Sequence, residues 1–286
     1  YTVIGYPDVF NRISREDVFD YYRKMYTPSN QFFIVVGDID IKKIADQISA
    51  AYKDSPFSPL PPAFIPSEPP QLAPRQRVEE SSIELGHTHL SWHIPDIRHE
   101  DLPALETLSI ILGGGRSSRL YRNLREEQGV VHAIDAWTYN PGNPGLFGIS
   151  AVFDGGQYEK AVQGIEAELQ GVREKGVTSS EVAKAVKQFT SSTLAARKTM
   201  QGQAQDLGGA WMAARDLGFS NRYLSQVQSI TAEKIVEVAN RYMFPDNRST
   251  FALLPKGSSP VSLRKSANVH RTEIEKWEPG NGMRVL

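Results

Sequence analysis

The chain contains no cysteine among its 286 residues. Disulfide bonds, thiolate metal ligands and a cysteine nucleophile are therefore excluded. Long hydrophobic runs are absent too: stretches such as residues 32–36 fall far short of the ~20 apolar residues that a membrane-spanning helix needs. The charge is nearly balanced, with 32 basic and 33 acidic residues, so no electrostatic excess favours nucleic acid or anionic lipid. The lack of cysteine does not identify the cellular compartment, because periplasmic and cytoplasmic proteins can both lack disulfides.

What is present is an ordinary globular composition, with 40% hydrophobic and 23% charged residues. The length allows about two domains. The sequence begins with Tyr1 rather than Met and shows no charged-then-apolar signal pattern. We expect its start to be a processing or fragment boundary.

Proline marks the most visible division of the chain. Eight prolines fall between Pro56 and Pro74, and proline removes a backbone donor and fixes φ. This stretch predicts a semi-rigid linker over residues 58–76. It separates residues 1–57 from a second domain over residues 77–256.

Hydrophobic periodicity and capping residues predict the elements on both sides of the linker. Ser14 with Asp17 and Thr178 with Glu181 predict capping boxes. Before it we expect a helix that starts after Ser14 and stops at Pro28, a buried strand at 31–36 and a helix at 41–52. After it, strands are predicted near 83–94, 130–139, 146–153 and 249–254. Helices are predicted at 102–112 with Asp101 as N-cap, 118–127, 158–175, 179–200, 205–214 and 232–242. Strands and long paired helices without steady βαβ alternation indicate an α+β fold with a mainly antiparallel sheet covered by helices.

One pattern occurs twice. Ser14-Arg-Glu-Asp-Val and Thr231-Ala-Glu-Lys-Ile open two helices in the same way, 217 residues apart. A Pro-x-Asn turn follows in the same register in each copy, at Pro28 and at Pro245, and an apolar segment comes next. The pattern indicates tandem duplication, with residues 1–57 as the closing part of a domain and residues 77–256 as a complete relative of it.

These residues resemble the pitrilysin, insulysin and mitochondrial processing peptidase family of zinc metallopeptidases. The segment Tyr26-Thr-Pro-Ser-Asn with the strand and Gly37-Asp38 is similar to the close of a family first domain. The segment from Leu112-Gly-Gly-Gly-Arg to Leu124-Arg-Glu-Glu-Gln-Gly is similar to the helix-loop signature of the second domain. Asn281-Gly-Met-Arg-Val-Leu is similar to the strand that opens a family half, which implies that residues 257–286 are a linker and the first strand of the next half. The resemblance implies tandem related α/β domains in an internal part of a two-half protein.

The resemblance also implies zinc held by a His-x-x-Glu-His helix, where two histidines bind the metal and the glutamate activates water. None of the six histidines forms that motif. The motif is expected upstream of Tyr1, so the longer protein would use zinc while this chain alone binds none and is inactive. A competing metal hypothesis rests on His87, His89 and His93, which share one face of a strand; the alternative is a polar strand face.

Two residues are candidates for substrate contact. Arg116, Arg119, Arg122 and Arg125 repeat every three residues and predict a basic stripe on a helix; one interpretation is a solvated face paired with nearby glutamates. In active family members an arginine near the end of this helix and a tyrosine seven residues on contact the substrate backbone. Arg125 matches the arginine and His132 stands in the place of the tyrosine. The resemblance thus implies peptide contact by Arg125 and His132.

Gly113-Gly114-Gly115 before a helix permits a phosphate-loop interpretation. The triplet lacks the Lys-Ser/Thr of a P-loop and follows a helix rather than a strand, which favours a helix–helix turn.

The sequence therefore predicts part of a zinc-dependent endopeptidase that forms the wall of a substrate chamber without the metal site. Its expected partners are a peptide or unfolded polypeptide substrate and either the other half of the same chain or a homologous subunit. No nucleic acid and no membrane span are expected. The alternative is a non-catalytic scaffold or partner subunit of the same family.

Overall fold

The computed structural model describes residues 4–55, 59, 68–141 and 143–260. These residues form two compact units. The first contains the described residues up to 69 together with 190–222, and the second contains 70–189 and the described residues from 223 onward. Residue 58 and residues 60–67 of the predicted 58–76 linker lie outside the described residues, as does the predicted strand at 281–286. The predicted domain boundaries stay a prediction.

The first unit is helical. It contains α1 (Pro7–Phe10), α2 (Arg15–Met25), α3 (Ile41–Ala51) and α7 (Met200–Ala214). The predicted capping box is present, since the Asp17 amide donates to Ser14 Oγ at 3.2 Å and the Ser14 amide donates to Asp17 Oδ2 at 2.9 Å. The predicted strand at 31–36 is wrong: these residues are not paired with a strand in the described part of the chain. An apolar run becomes a strand only where neighbouring strands satisfy its backbone groups.

The second unit is built on one five-stranded sheet of order β1-β5-β2-β4-β3. The pairings β2–β4, β2–β5 and β3–β4 are antiparallel and β1–β5 is parallel, so the prediction of a mainly antiparallel sheet is confirmed. The strands are β1 (Arg75–Ser81), β2 (Leu85–Ile94), β3 (Ala133–Tyr139), β4 (Gly145–Asp154) and β5 (Arg248–Pro255). Strand β1 was missed, because four of its seven residues are charged and give no apolar alternation.

Helices cover one face of this sheet. They are α4 (Leu102–Gly113), α5 (Tyr158–Lys175) and α9 (Ala232–Tyr242), which contact β2, β3 and β4. Helices α6 (Ser179–Ala196) and α8 (Phe219–Gln228) continue across the two unit boundaries. The core between sheet and helices includes the fully buried side chains of Leu90, Leu105, Phe147, Ile149, Ile165 and Ile235. When helices cover one face of a sheet, the strand residues alternate between buried and exposed positions.

Two predicted helix boundaries are corrected, and one helix was missed. The helix predicted at 179–200 ends at Ala196, because Thr199 caps a new helix by accepting a hydrogen bond from the Gly202 amide at 3.0 Å. A Cβ at Gly202 would lie 1.7 Å from the Ala196 carbonyl oxygen, so this tight turn requires glycine. Helix α7 therefore begins at Met200 rather than 205, and α8 was not predicted.

Asp101 occupies the N-cap position of α4, as predicted, but its side chain does not cap the helix. Its backbone is helical, with φ −81° and ψ −15°, and its side chain makes no cap hydrogen bond. The Asp101 carboxylate is instead buried against α9, where it accepts hydrogen bonds from Tyr242 Oη at 2.7 Å and Arg241 Nη1 at 2.5 Å. The Lys234 ammonium lies 2.7 Å from its other oxygen.

The repeated pattern is reproduced in the geometry of the chain. Both α2 and α9 have eleven residues, and each is followed by a 3-10 turn, Pro28–Asn30 or Pro245–Asn247. Asn30 Nδ2 donates to the Met25 carbonyl at 2.8 Å, and Asn247 Nδ2 donates to the Tyr242 carbonyl at 2.9 Å. These bonds are equivalent at the 217-residue spacing. Duplication thus remains the interpretation, now with a matching hydrogen bond in each copy.

Candidate functional site

The glycine triplet positions the candidate site. The last residue of α4, Gly113, lies against the backbone of β3: a Cβ there would be 2.0 Å from the Ala136 nitrogen. Gly115 has φ +91°, a conformation that L side chains rarely adopt. The two glycines let the chain leave α4 close to the sheet and enter the next helix. The turn interpretation agrees with this geometry.

The helix predicted at 118–127 is a π-helix over Tyr121–Glu127. Such segments are rare and frequently lie at functional sites. Leu120 and Leu124 are buried beneath it, as predicted. Its arginines do not behave as one stripe, because they have partners of different kinds.

Arg119 is a structural residue. Its guanidinium donates to both carboxylate oxygens of Glu181, at 2.6 and 2.8 Å, and to the Gly176 carbonyl at 3.0 Å. The bond from Arg119 lowers the pKa of Glu181 to about 2, against a raising effect of burial. Glu181 also accepts from the Thr178 amide at 2.8 Å, which completes the capping box predicted for α6. A bidentate ion pair of this kind fixes the π-helix to the start of α6.

Arg125 is exposed and has a different role. Its guanidinium lies over the Tyr121 ring, 4.8 Å from the centroid, and its Nη1 donates to Tyr121 Oη at 2.8 Å. The ring holds the long side chain in one orientation through a cation–π contact. An arginine carries five N–H donors in a planar fork, so a positioned guanidinium on the surface can bind carbonyl or carboxylate oxygens.

His132 lies one residue before β3. Its Nε2 is 3.0 Å from Asp154 Oδ1, and both side chains are exposed. The structure therefore gives Arg125 and His132 separate partners, Tyr121 and Asp154. Their predicted joint role in peptide contact is a proposal taken up below.

The second feature is the sheet face that lies opposite the helices. On β2 the side chains of Thr88, Leu90, Trp92 and Ile94 are buried, as predicted, while His87 and His89 are exposed. Cross-strand neighbours extend this open face on β5, β4 and β3; they are Phe251, Ser150, Val152, Asp135, Trp137 and Tyr139. Phe251 is 40% and Tyr139 is 54% exposed.

A hydrogen-bonded group lies at the centre of the open face. Ser150 Oγ is 3.0 Å from His89 Nδ1 and accepts a hydrogen bond from Trp137 Nε1 at 2.7 Å. Desolvation raises the pKa of the neighbouring Asp135 carboxyl, and the nearby His89 opposes this rise. Sequence reasoning found the histidines but not their neighbours, since strand register decides which residues lie together.

The His, Asp and Glu side chains that the structure describes do not form a metal site. Among the residues that the structure describes, no group of three His, Cys, Asp or Glu side chains lies close enough to hold a metal ion. His87, His89 and His93 are therefore residues of a polar strand face in this structure. Within the same described ranges, no helix is long and apolar enough to cross a membrane.

A half-buried carboxyl, that of Glu106, was not predicted from the sequence. Glu106 on α4 accepts a hydrogen bond from Thr138 Oγ1 at 2.7 Å, and desolvation raises its pKa. Burial also raises the pKa of the Tyr223 hydroxyl, and the charge of Glu106 adds to that rise. The helical pattern of the sequence does not indicate that a strand will cover this glutamate.

Comparisons with known proteins agree with this α/β arrangement. Residues 12–189, more than half of the chain, match the sequence model of the peptidase M16 inactive domain. The chain therefore belongs to the peptidase M16 family, and the resemblance found in the sequence is confirmed.

Individual relatives extend the match. An uncharacterized zinc protease of Streptomyces coelicolor is 28% identical over 254 residues, which is 83% of this chain and 53% of that protein. The alpha subunit of the mitochondrial-processing peptidase of Neurospora crassa is 30% identical over 159 residues, 50% of this chain and 26% of that protein. A solved peptidase M16 inactive domain from Pseudomonas fluorescens superposes with a TM-score of 0.80 at 20% identity, covering 91% of this chain and 62% of the other; it shows the fold alone. The chain spans about half the length of the curated relatives that it matches.

Proposed function

We propose that this chain is the non-metal part of a zinc-dependent endopeptidase, and that its open sheet face lines the chamber that holds the substrate. The observation that carries the proposal is this face, where aromatic side chains (Phe251, Tyr139) and two histidines are exposed together on the side of the sheet opposite the helices. The relatives' names, zinc proteases, support the reaction class. Zinc would be held by a different M16 domain, since the donors described here do not fit it.

Arg125 would bind the substrate main chain. Its guanidinium is exposed and oriented by Tyr121, so it can donate to peptide carbonyls without first ordering its own side chain. Pre-ordering reduces the entropy lost on binding. His132 would add one imidazole donor or acceptor, steadied by Asp154.

The chain would work with a second M16 domain that carries the metal, either in the same polypeptide or in a homologous subunit. Helix α2 supports this, because it buries none of its own residues while exposing Val18, Tyr21 and Tyr22. Apolar side chains in such number usually mark a face that a partner covers. The non-catalytic alternative shares this pairing and differs only in whether the partner carries zinc.

The test uses a longer protein that contains this chain and a metal-bearing M16 domain. We expect Arg125→Ala to lower kcat/KM for a long quenched peptide by about tenfold or more, the loss of an interaction with the substrate. The matched control is Arg122→Ala, which removes an exposed arginine of the same helix that lies 3.7 Å from Glu127; it should change kcat/KM by less than about twofold.

A second variant tests the other residue. His132→Tyr should keep kcat/KM within about threefold of the wild type, since a phenol also donates a hydrogen bond. His132→Ala should lower kcat/KM more than His132→Tyr does. Equal activity of Arg125→Ala and wild type would remove Arg125 from the proposal. Cleavage that is absent in every variant, with no bound zinc, would favour the scaffold function.

A further inference from the structure

A cavity of about 250 Å³ lies on the helix-covered side of the sheet, away from the open face. Its walls come from α5, from the end of α9 with the residues that follow it, and from β2 and β5. Leu169, Met243 and Phe244 form an apolar wall, and Phe244 is 37% exposed, so the cavity is reached from solvent. Since a water molecule takes up about 30 Å³ of liquid, the cavity has room for about eight waters or for a compound of roughly ten non-hydrogen atoms.

Two buried N–H groups of residues that line this cavity have no hydrogen-bond partner among the described residues. They are Trp92 Nε1 and Arg248 Nε. Trp92 on β2 and Arg248 on β5 are paired directly across the strands, so their side chains lie on the same face of the sheet. Leaving a buried donor without an acceptor is costly, and native proteins rarely do so. Two such donors in the lining of one cavity indicate that the cavity holds an acceptor.

Two guanidinium groups make the cavity suited to an anion. Arg248 is paired through Nη1 with Glu166 of α5, and burial lowers the pKa of its guanidinium. The hydrogen bonds of Arg173 are long, 3.3 Å from Nε to Asn240 Oδ1 and 3.4 Å from Nη1 to the Met243 carbonyl. Arginine has five N–H donors, so Arg173 has donors left for a ligand.

The two carboxylates that line the cavity already have partners. Glu166 is paired with Arg248, and Glu174 accepts a hydrogen bond from Gln170 Nε2 at 2.8 Å. Arg173, by contrast, forms no ion pair within the part of the chain that the structure describes. The charge that lacks a counter-charge in this lining is therefore positive.

We propose that this cavity binds a small carboxylic acid with an apolar body. The carboxylate would accept charge-assisted hydrogen bonds from Arg173 and Arg248, with the Trp92 N–H as a third donor. The body would lie against the apolar wall, as is usual where a few polar groups orient a ligand in an apolar site. The site is separate from Arg125 and the open face, so the inference does not depend on the proposed peptidase function.

The test is isothermal titration calorimetry of the 286-residue chain with phenylacetate, a carboxylate that fits the volume. We expect a dissociation constant of about 1 mM or lower, which ligands of this size commonly reach. Phenylacetamide has the same shape without the charge and should bind about tenfold more weakly or worse. Acetate has the charge without the ring and should also bind about tenfold more weakly or worse.

Matched variants locate the site. Arg173→Gln removes the guanidinium that forms no ion pair and should weaken phenylacetate binding by about tenfold. Arg248→Lys keeps a positive charge beside Glu166 but removes the Nε donor, and should weaken binding by about threefold or more. The control Arg77→Gln removes an exposed arginine of β1 that pairs with Glu79, and should leave binding within about twofold. Circular dichroism checks that each variant folds.

Phenylalanine distinguishes two sources of the same chemistry. It carries the ring and the carboxylate of the first probe together with an ammonium group, which Glu166 and Glu174 could accept. Tighter binding of phenylalanine than of phenylacetate would identify a free amino acid as the ligand. Weaker binding would identify a simple organic acid, and both outcomes support a carboxylate site.

Three results would overturn the proposal. The first is no phenylacetate binding by the folded chain up to about 10 mM, which would mean that water alone fills the cavity. The second is equal binding of phenylacetate and either phenylacetamide or acetate, and the third is equal binding by the wild type and Arg173→Gln. Because the assay measures neither zinc nor cleavage, its failure leaves the proposed function intact, and an inactive longer protein leaves this site intact.

Discussion

Helices α2 and α9 have the same local structure and opposite surroundings. Each has eleven residues, a hydroxyl N-cap and a Pro-x-Asn turn with an asparagine bonded five residues back. In α9 the side chains of Ile235, Val238 and Ala239 are fully buried. Their equivalents in α2 at the 217-residue spacing, Val18, Tyr21 and Tyr22, are 59%, 61% and 53% exposed.

The comparison distinguishes features that depend on neighbouring residues in the sequence, the caps and turns, from burial, which depends on packing across the fold. Caps and turns depend on residues within a few positions and are made in both copies. Burial of α9 depends on α4, α5 and β2, which contact it from distant parts of the chain. We therefore expect α2 to be stabilised by a similar sheet-and-helix layer, supplied by the domain that the proposed function requires.

The largest effect concerns the apolar faces. Val238→Asp places a carboxylate in the core and should lower the free energy of unfolding by about 4 kcal/mol. Tyr21→Asp, at the equivalent position of α2, should change it by less than about 0.5 kcal/mol. Urea unfolding of the two variants measures both values. Equal losses would mean that α2 is packed as α9 is, contrary to the comparison.

The next effect concerns the charged contacts that anchor α9 to α4. Burial favours the neutral form of Asp101, but hydrogen bonds from Lys234, Tyr242 and Arg241 outweigh it and hold the pKa of the carboxyl below its usual value. Asp101→Asn should cost about 3 kcal/mol, because a buried side chain loses the charge-assisted hydrogen bonds that it accepts from α9. Asp8→Asn, an exposed control that pairs with Arg12, should cost less than about 0.5 kcal/mol.

The pH dependence of the same contact has a defined sign. Because the pKa of Asp101 is lower in the folded state, its contribution is present above its unfolded pKa of about 4 and is lost as the pH falls through the folded value. The wild type should therefore lose more free energy of unfolding than Asp101→Asn as the pH falls below the unfolded pKa of about 4. Parallel pH profiles would contradict this assignment.

A smaller effect distinguishes the two turns. Asn247 is buried and donates to the carbonyls of Tyr242 and His93, both at 2.9 Å, whereas the exposed Asn30 donates to Met25. Asn247→Ala should cost about 2 kcal/mol and Asn30→Ala less than about 1 kcal/mol, since a buried acceptor left unpaired is expensive. Thermal unfolding compares them, and a larger loss for Asn30→Ala would show that the first turn is the more tightly packed.

The smallest effect should be equal in both copies. Thr231→Ala and Ser14→Ala each remove an N-cap hydroxyl and should each cost about 1 kcal/mol of helix stability. Hydrogen exchange at the first-turn amides of α9 and α2 measures this locally. If only one of the two substitutions changes the exchange rates, the contribution of the cap also depends on the sheet and helices that pack against the helix.

The sequence predicted what depends on neighbouring residues. The capping boxes of Ser14 and Thr178, helices α5 and α9, and the alternation of β2 follow from local chemistry, and all are present. The failures depend on contacts across the fold. Residues 31–36 have a strand pattern but no paired strand among the described residues, and β1 lacks an apolar pattern yet pairs with β5.

The candidate site shows the same division. Arg125 and His132 were found through family resemblance, but their partners Tyr121 and Asp154 were not. Asp101 was predicted to cap α4 because it precedes that helix. Its carboxylate instead accepts a hydrogen bond from Tyr242 of α9, which lies far away in the sequence. The His89–Ser150–Trp137 group depends on the register of three strands, which no local pattern contains.

The most direct test of the account is zinc content with chelator-sensitive cleavage of a long quenched peptide. The assay compares the 286-residue chain with the same chain joined to, or mixed with, a metal-bearing M16 domain. The account predicts one zinc per complex and cleavage that chelator abolishes, with neither in the chain alone. Zinc-dependent cleavage by the chain alone, or a metal-free and inactive complex, would contradict it.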